Sequence, residues 1–274
     1  MNAAGTLKGR VLIVAGSDSG GGAGIQADIK TVTALGAYAM TAITALTAQD
    51  TNGVEGVVGV EPAFIQQQMR MVLDDIGADA VKTGMLHNAP VIEAVAVVLR
   101  EKARDIPLVV DPVMYAKGGH PLLEPEAVSA LKSVLLPLAG VVTPNIPEAE
   151  AIAGVPIRTV EDMRNAARAI AELGPRAVLL KGGHMEDGDV TDILFDGEGI
   201  EAMTHPRIAT RDTHGTGCTL ASALAAGLAQ GLTMRAAVRR ARAYVLEAIR
   251  TAPGFGHGHG PLNHAHTVAP FDGG

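Results

Sequence analysis

Tryptophan is absent from this 274-residue chain, and aromatic residues make up only 3% of it. A core built from 47% hydrophobic residues must therefore be aliphatic, a packing of Ala, Val, Leu and Ile. Cysteine occurs once, as Cys218, which excludes an internal disulfide framework and a cysteine-based zinc site. A lone thiol is compatible with a reducing cytosol, so a cytoplasmic location is expected. Long apolar runs are missing too: none approaches the roughly 18 residues of a membrane span. The opening M-N-A-A-G-T-L-K-G lacks the apolar stretch of a secretory signal, and residues 1–9 read as a short disordered tail. Positive charge is also in short supply. With 22 Lys and Arg against 29 Asp and Glu, the net charge of −7 argues against a broad nucleic-acid or membrane surface. Any phosphate must be held locally, by backbone N–H groups, a few lysines and a metal ion.

What is present is a regular alternation. Short β-branched runs read as strands at Arg10–Gly16, Tyr38–Leu46, Ala80–Lys82, Leu108–Asp111, Gly140–Thr143 and Ala177–Lys181. Between them, helical spacing covers Ala23–Leu35, Pro62–Ile76, Ala89–Arg104, Pro125–Leu135, Pro147–Ala153 and Val160–Leu173. Val190–Met203 reads as a hairpin around D-G-E-G, and Cys218–Ala229 and Thr233–Arg250 close the chain as helices. This order implies a mostly parallel sheet between helical layers, an α/β fold. No linker or composition shift divides it, so residues 10–274 form one domain.

In such folds ligands sit beyond the carboxyl ends of the strands. Five polar motifs fall there: G-S-D-S-G-G-G-A-G (Gly16–Gly24), K-T-G-M (Lys82–Met85), D-P-V-M (Asp111–Met114), T-P-N-I-P-E (Thr143–Glu148) and K-G-G-H (Lys181–His184). Each alone could be turn chemistry; together they outline a cleft. The first loop lacks G-x-G-x-x-G spacing and a following acidic residue, which removes a nicotinamide-dependent oxidoreductase, and no Walker pattern is present. It does place Asp18 and Asp28 nearby, with Asp28 solvated on its helix as the plainer alternative.

D-T-H-G-T-G-C, Asp212–Cys218, opens an Ala-rich helix whose first N–H groups lie at the positive end of its dipole. Gly215–Cys218 can thus form an anion hole for a transferring phosphoryl group. The same field favours a Cys218 thiolate, while packing as a small apolar residue is the alternative. Asn145 and Glu148, in N-x-x-E spacing, suit a water-mediated magnesium site, or else only an Asx turn and a helix-start acid. Lys181 can meet nucleotide phosphates or remain a solvated charge. His257, His259, His264 and His266 raise a metal site, against the plainer reading of a tail or lid loop.

Taken together, G-S-D-S-G-G-G-A-G-I-Q-A-D, T-A-L-T-A-Q, K-T-G-M-L, D-P-V-M, T-P-N-I-P-E-A, L-K-G-G-H and T-H-G-T-G-C resemble the hydroxymethylpyrimidine/phosphomethylpyrimidine kinases of thiamine biosynthesis. The resemblance runs from about Arg10 to G-H-G-P-L-N-H. It implies a ribokinase-like three-layer α/β/α sandwich, ATP and magnesium (Mg2+), a homodimer, and two successive phosphorylations of a pyrimidine alcohol and its monophosphate. By the same resemblance Gln49 reads the pyrimidine, with Gly16, Met85, Val113 and Asp28 around it. Asn145 and Glu148 fit the magnesium motif, with Asp111 beside them. Lys181, Thr213 and Thr216 would face ATP, and Gly215, Gly217 and Cys218 would serve catalysis, Cys218 standing where many superfamily sugar kinases carry an aspartate base. Ser19 and Gly118 depart from the pattern, where many members have proline and serine. Two alternatives share the pocket: a pyridoxal kinase of the same fold, and a pyrimidine sensor without turnover.

Overall fold

The computed structural model describes residues 7–115, 119, 122–124, 126–184 and 188–270, so Gly118, Pro125 and the first six residues lie outside it. Nine strands join in one sheet: β1 (Arg10–Asp18), β2 (Tyr38–Gln49), β3 (Val54–Gly59), β4 (Ala80–Thr83), β5 (Leu108–Val110), β6 (Val141–Val142), β7 (Val178–Leu180), β8 (Val190–Phe195) and β9 (Ile200–His205). Their order is β3-β2-β1-β4-β5-β6-β7-β8-β9. The six from β2 to β7 in that order run parallel, and antiparallel partners close both edges. The central parallel strands are covered on both faces: β4 and β5 are buried at every position, including Lys82 and Thr83 of β4.

Helices α1 (Gly24–Ala34), α7 (Thr216–Ala229) and α8 (Met234–Arg250) cover one face. On the other lie α2 (Pro62–Asp75), α3 (Ala89–Lys102), α4 (Ala127–Ala130), α5 (Ile146–Ala153) and α6 (Val160–Ala171). The expected three-layer sandwich is thus observed. Nearly every residue of α7 from Thr219 to Gly227 is buried, and its small side chains let the helix lie close against β1, β4 and β5. Helix α3 begins at an Asn88 cap that accepts from the Val91 N–H, with Pro90 in its first turn.

Three expectations change. β3 was not anticipated: V-E-G-V-V-G has two glycines and lies largely exposed at the sheet edge, so it carries no alternating signature. Its pairing carries β2 three residues past Leu46, to Gln49. The helix ending at Leu135 becomes α4 followed by a π-helical turn, Leu131–Leu135, and a 3-10 turn whose Pro137 has no N–H to continue the ladder. At the start, Lys8 and Gly9 are not loose: the Lys8 N–H donates to Gly36 O and Gly9 O accepts from the Tyr38 N–H.

Candidate active site

β1 is the strand at which the chain reverses its direction of travel across the sheet, with β2 on one side and β4 on the other. The crevice at the carboxyl end of such a switch point is where open α/β sheets take ligands. A cavity of about 640 Å³ lies there, lined by Gly16, Gln49, Met85, Val113, Asp111, Asn145, Glu148, Lys181, Thr213 and the Gly215–Cys218 turn. That volume suits a small-molecule site. Of the expected site residues, only Asp28 is missing from its wall.

The acceptor half sets the apolar Met85 and Val113 beside the Gln49 amide, with Ser17, Thr47 and Lys82 also in its wall. Gly16 lies where β1 meets Met85, and a Cβ added there would come 2.9 Å from the Met85 sulfur. Gln49 ends β2, its side chain beside the Thr47 hydroxyl at 3.2 Å. Asp28 is a correction. It is fully buried under the cleft, between Lys82 Nζ at 2.8 and 2.9 Å and the Ser222 hydroxyl at 2.6 Å. Position i+4 on α1 from Gly24 turns it toward α7 and not toward the ligand. Burial pushes its carboxyl up against the opposing pull of Lys82, and Lys82 is itself held protonated by Asp28 although burial alone would lower it. Lys82 was read from the sequence only as part of a strand-end motif.

The phosphate half centres on Lys181. Its Nζ lies 3.1 Å from Asp111 Oδ1, an oxygen that also accepts from the Thr143 hydroxyl. Burial alone would lower the ammonium, but Asp111 and Glu148 hold it charged. Opposite stands the turn into α7. Gly215 has a left-handed backbone, φ +82°, and its carbonyl accepts from the Thr219 N–H. The Thr216 N–H turns back to Thr213 O at 3.3 Å, so the open amides are those of Gly217 and Cys218. The Cys218 thiolate is a second correction. Burial, with Asp28 and Asp111 nearby, pushes the thiol up to about 12 despite Lys82 and the Gly24 N–H. Burial is the largest cause, and at neutral pH the thiol is neutral.

Asn145 and Glu148 form a complete capping box: Asn145 Oδ1 accepts from the Glu148 N–H at 2.9 Å, and Glu148 Oε2 from the Asn145 N–H at 2.8 Å. Among the described residues no three His, Cys, Asp or Glu side chains gather as a direct metal cage. What remains is charge: two buried carboxylates, Asp111 and Glu148, share one ammonium. That excess fits a cation held through its own water. Burial, opposed by Lys181 and reinforced by Asp111, lifts Glu148 to about 7. A carboxyl raised in the folded state stabilises fully below its unfolded value, near 4.5, and loses that contribution as pH rises through about 7. Relative to Glu148→Gln, metal-free wild-type protein should therefore lose melting temperature between pH 5 and pH 8, while the buried neutral His264 pulls both proteins the opposite way. Added magnesium should oppose that loss. Thermal melts in which wild type and Glu148→Gln share one pH slope would return Glu148 to capping alone.

The family model for phosphomethylpyrimidine kinase matches residues 18–263. The chain belongs to the phosphomethylpyrimidine kinase family. It is 49% identical over 256 residues to the hydroxymethylpyrimidine/phosphomethylpyrimidine kinase of Bacillus subtilis, covering 93% of this chain and 94% of that one. It is 57% identical over 257 residues to the thiamine biosynthesis bifunctional protein ThiED of Geobacter sulfurreducens, covering 94% of this chain and 52% of that longer protein. An ADP complex of Bacillus subtilis pyridoxal kinase superposes with a TM-score of 0.88 at 39% identity, over 94% of this chain and 98% of that one. The activity that goes with the family is phosphoryl transfer in thiamine biosynthesis, and the reading of the chain as such a kinase holds.

The C-terminal histidines are each held by a separate partner. They do not converge on a metal. The His264 ring meets the Thr219 hydroxyl at 3.0 Å, the His266 ring faces Tyr244 O, the His257 N–H reaches the Thr51 hydroxyl and the His259 ring approaches Arg211 O. Burial holds His264 down at about 4, so it is neutral. The segment is a strap across the outside of the α7 turn. The sequence reading also passed over the His214–Asp18 pair, 2.8 Å apart and buried, because a lone histidine beside glycines carries no spacing signal. No helix among the described residues is long and apolar enough to cross a membrane.

Proposed function

We propose that the protein moves the γ-phosphoryl group of ATP to 4-amino-5-hydroxymethyl-2-methylpyrimidine and then to its monophosphate. The observation that carries this reading is one continuous cavity whose apolar end holds Gln49, Met85 and Gly16 and whose polar end holds Lys181 and the Gly217 and Cys218 amides. A homodimer belongs to the same reading.

The Gln49 amide offers both donor and acceptor, which the edge of an aminopyrimidine requires. Met85 and Val113 flank a flat ring and leave its hydroxymethyl directed at the α7 turn. There the substrate oxygen attacks phosphorus. A new P–O bond forms, the bridging P–O bond to ADP breaks with its electrons leaving on ADP, and the alcohol proton is released to water. Charge spreads over the three equatorial oxygens, so positioned donors matter more than covalent chemistry. Lys181 and the two open amides are those donors. Magnesium, held through water by Asp111, Glu148 and Asn145, would neutralise phosphate charge when bound. Val245, Leu246 and Ile249 of α8 and its end give the far wall an apolar surface for a nucleotide base.

A neutral Cys218 is a poor base but can still orient the attacking hydroxyl. Cys218→Ala should slow the first phosphorylation by about tenfold, short of the roughly 10²–10⁴ that losing a general base removes. The second step, attacked by a phosphate oxygen already deprotonated, should change less. Single-turnover rates for both steps, with pyridoxal run beside the two pyrimidines, test the whole reading. Loss of 10²-fold or more confined to the first step would restore Cys218 as base. ATP consumption with pyridoxal alone would transfer the assignment to a pyridoxal kinase, and none with any acceptor would favour a sensor.

A further inference from the structure

Asp18, the last residue of β1, and Ser19, the first beyond it, are adjacent, yet they face opposite halves of the cleft. The Ser19 hydroxyl donates to Gln49 O at 2.7 Å and accepts from the Gln49 N–H at 2.9 Å. One hydroxyl thus clasps the backbone of the residue at the pyrimidine end, using its single proton and a lone pair. The clasp extends the contact between β1 and β2 one step beyond the last paired residues, Asp18 and Thr47.

Asp18 works in the other direction. Its Oδ1 accepts from the Gly20 N–H at 2.8 Å, and its Oδ2 from Gly22 N–H at 3.1 Å, Ala23 N–H at 2.8 Å and His214 Nε2 at 2.8 Å. A carboxylate has no proton to give, so the His214 proton lies on Nε2 and the tautomer is fixed. His214 immediately precedes Gly215, and its own N–H donates to Gly260 O of the strap. Both partners are buried, with 2% and 6% exposure. Burial would raise the Asp18 carboxyl, but the bonds from His214, Ala23 and Gly20 outweigh it and hold the group below the usual carboxylate range.

We propose that Asp18 and Ser19 form a positioning joint between the two ends of the site, with Ser19 setting Gln49 and Asp18 setting, through His214, the turn that presents the Gly217 and Cys218 amides. Neither residue takes part in bond making. The joint fixes the distance between ring reading and phosphoryl transfer, a spacing to which rates are sensitive at the scale of about 1 Å. The assignment of Gln49 to the ring rests on the proposed function; the two clasps themselves do not.

The test uses Ser19→Ala, Ser19→Thr, Asp18→Asn and His214→Gln in the full chain. Ser19→Ala should raise the pyrimidine KM about fivefold to tenfold, the range of one lost hydrogen bond, while kcat and the ATP KM stay within about twofold. Ser19→Thr keeps the hydroxyl and should restore the KM. Asp18→Asn should cut kcat of both phosphorylations by roughly 10²-fold, as for a displaced oxyanion donor, with a smaller change in KM. Two readouts need no turnover. In substrate-free protein the Gln49 amide should exchange its hydrogen faster in Ser19→Ala, and the downfield His214 Nε2 proton signal should vanish in Asp18→Asn. If Asp18→Asn does not fold, His214→Gln takes its place for kcat. An unchanged KM and unchanged Gln49 exchange in Ser19→Ala would overturn the joint, as would equal losses in KM and kcat from both variants. Wild-type protein inactive on pyrimidines would strike the proposed function instead, leaving exchange and the imidazole proton to decide the joint.

Discussion

Gly215→Ala is expected to cost both phosphorylations at least roughly 10²-fold, the scale of losing a preorganised oxyanion donor. Two effects coincide at this position. Its φ of +82° is a left-handed conformation that L side chains adopt only at a cost. In addition, a Cβ there would overlap the carbonyl oxygen of Gly22, and Ala23 Cα would lie 3.3 Å away. Both obstacles are backbone, held in place by Asp18, so neither can swing aside as a side chain would. The turn itself must shift, carrying the Gly217 and Cys218 amides with it. Stability should fall by roughly 1–3 kcal/mol, the usual scale of strain at a special φ. Gly217→Ala is the internal control. Its Cβ would meet the flexible end of Lys181 at 3.1 Å, which can yield, so fold stability should hardly change. Single-turnover rates and thermal melts of the pair check both halves. Equal behaviour of the two variants would mean that the left-handed turn is not what shapes the anion hole.

Lys181→Met should be nearly as severe for turnover, with kcat lower by roughly 10²–10³-fold in both steps. The ammonium is the only cation among the groups that set the charge of Glu148, and it pairs with Asp111 at 3.1 Å. Its loss leaves two buried carboxylates uncompensated, so Glu148 should take up a proton at still higher pH. Pyrimidine binding, at the far end of the cavity, should persist. Calorimetry with the pyrimidine alcohol together with steady-state kinetics separates the two. A Lys181→Met enzyme within fivefold of wild type would leave the amides as sole stabilisers of the transferring group. A parallel loss of pyrimidine affinity would assign Lys181 to the architecture of the cleft.

The sequence carries the frame of this site because its signals are local. Strand ends followed by Gly, Pro, Asn or Asp put Gly16, Met85, Val113, Asp111, Asn145 and Lys181 on one edge before any coordinate is known, and the cavity wall contains them all. What it does not carry is the direction in which a side chain turns once layers pack. Asp28 sits on a helix that opens at the cleft, yet its face of α1 meets α7, and it spends its charge on Lys82 and Ser222. Cys218 occupies a helix start, where the dipole predicts a thiolate. That prediction omits burial, the largest cause of the raised thiol, and the added push of Asp28 and Asp111, which are distant in sequence and close in space. β3 escaped notice for a different reason: an exposed edge strand has no buried face to impose alternation. His214 and Asp18 are 196 positions apart, and no spacing rule spans that distance.

The burial of α7 also bears on how the chain comes off the ribosome. One face of the sheet, with Val11, Ile13, Ala15, Val109 and Val141, is covered by α1, α7 and α8. Two of these three helices, α7 and α8, follow all nine strands in the chain, between Thr216 and Arg250. At roughly 5–20 residues added per second, the last strand, ending at His205, is made about 1–5 seconds before α7 is complete at Ala229. During that interval the nascent chain holds a parallel apolar sheet with half its core open, a state prone to association. A fragment ending before Thr216 would leave that face covered by α1 alone, so the helix that carries the anion hole also closes most of the sheet's open side.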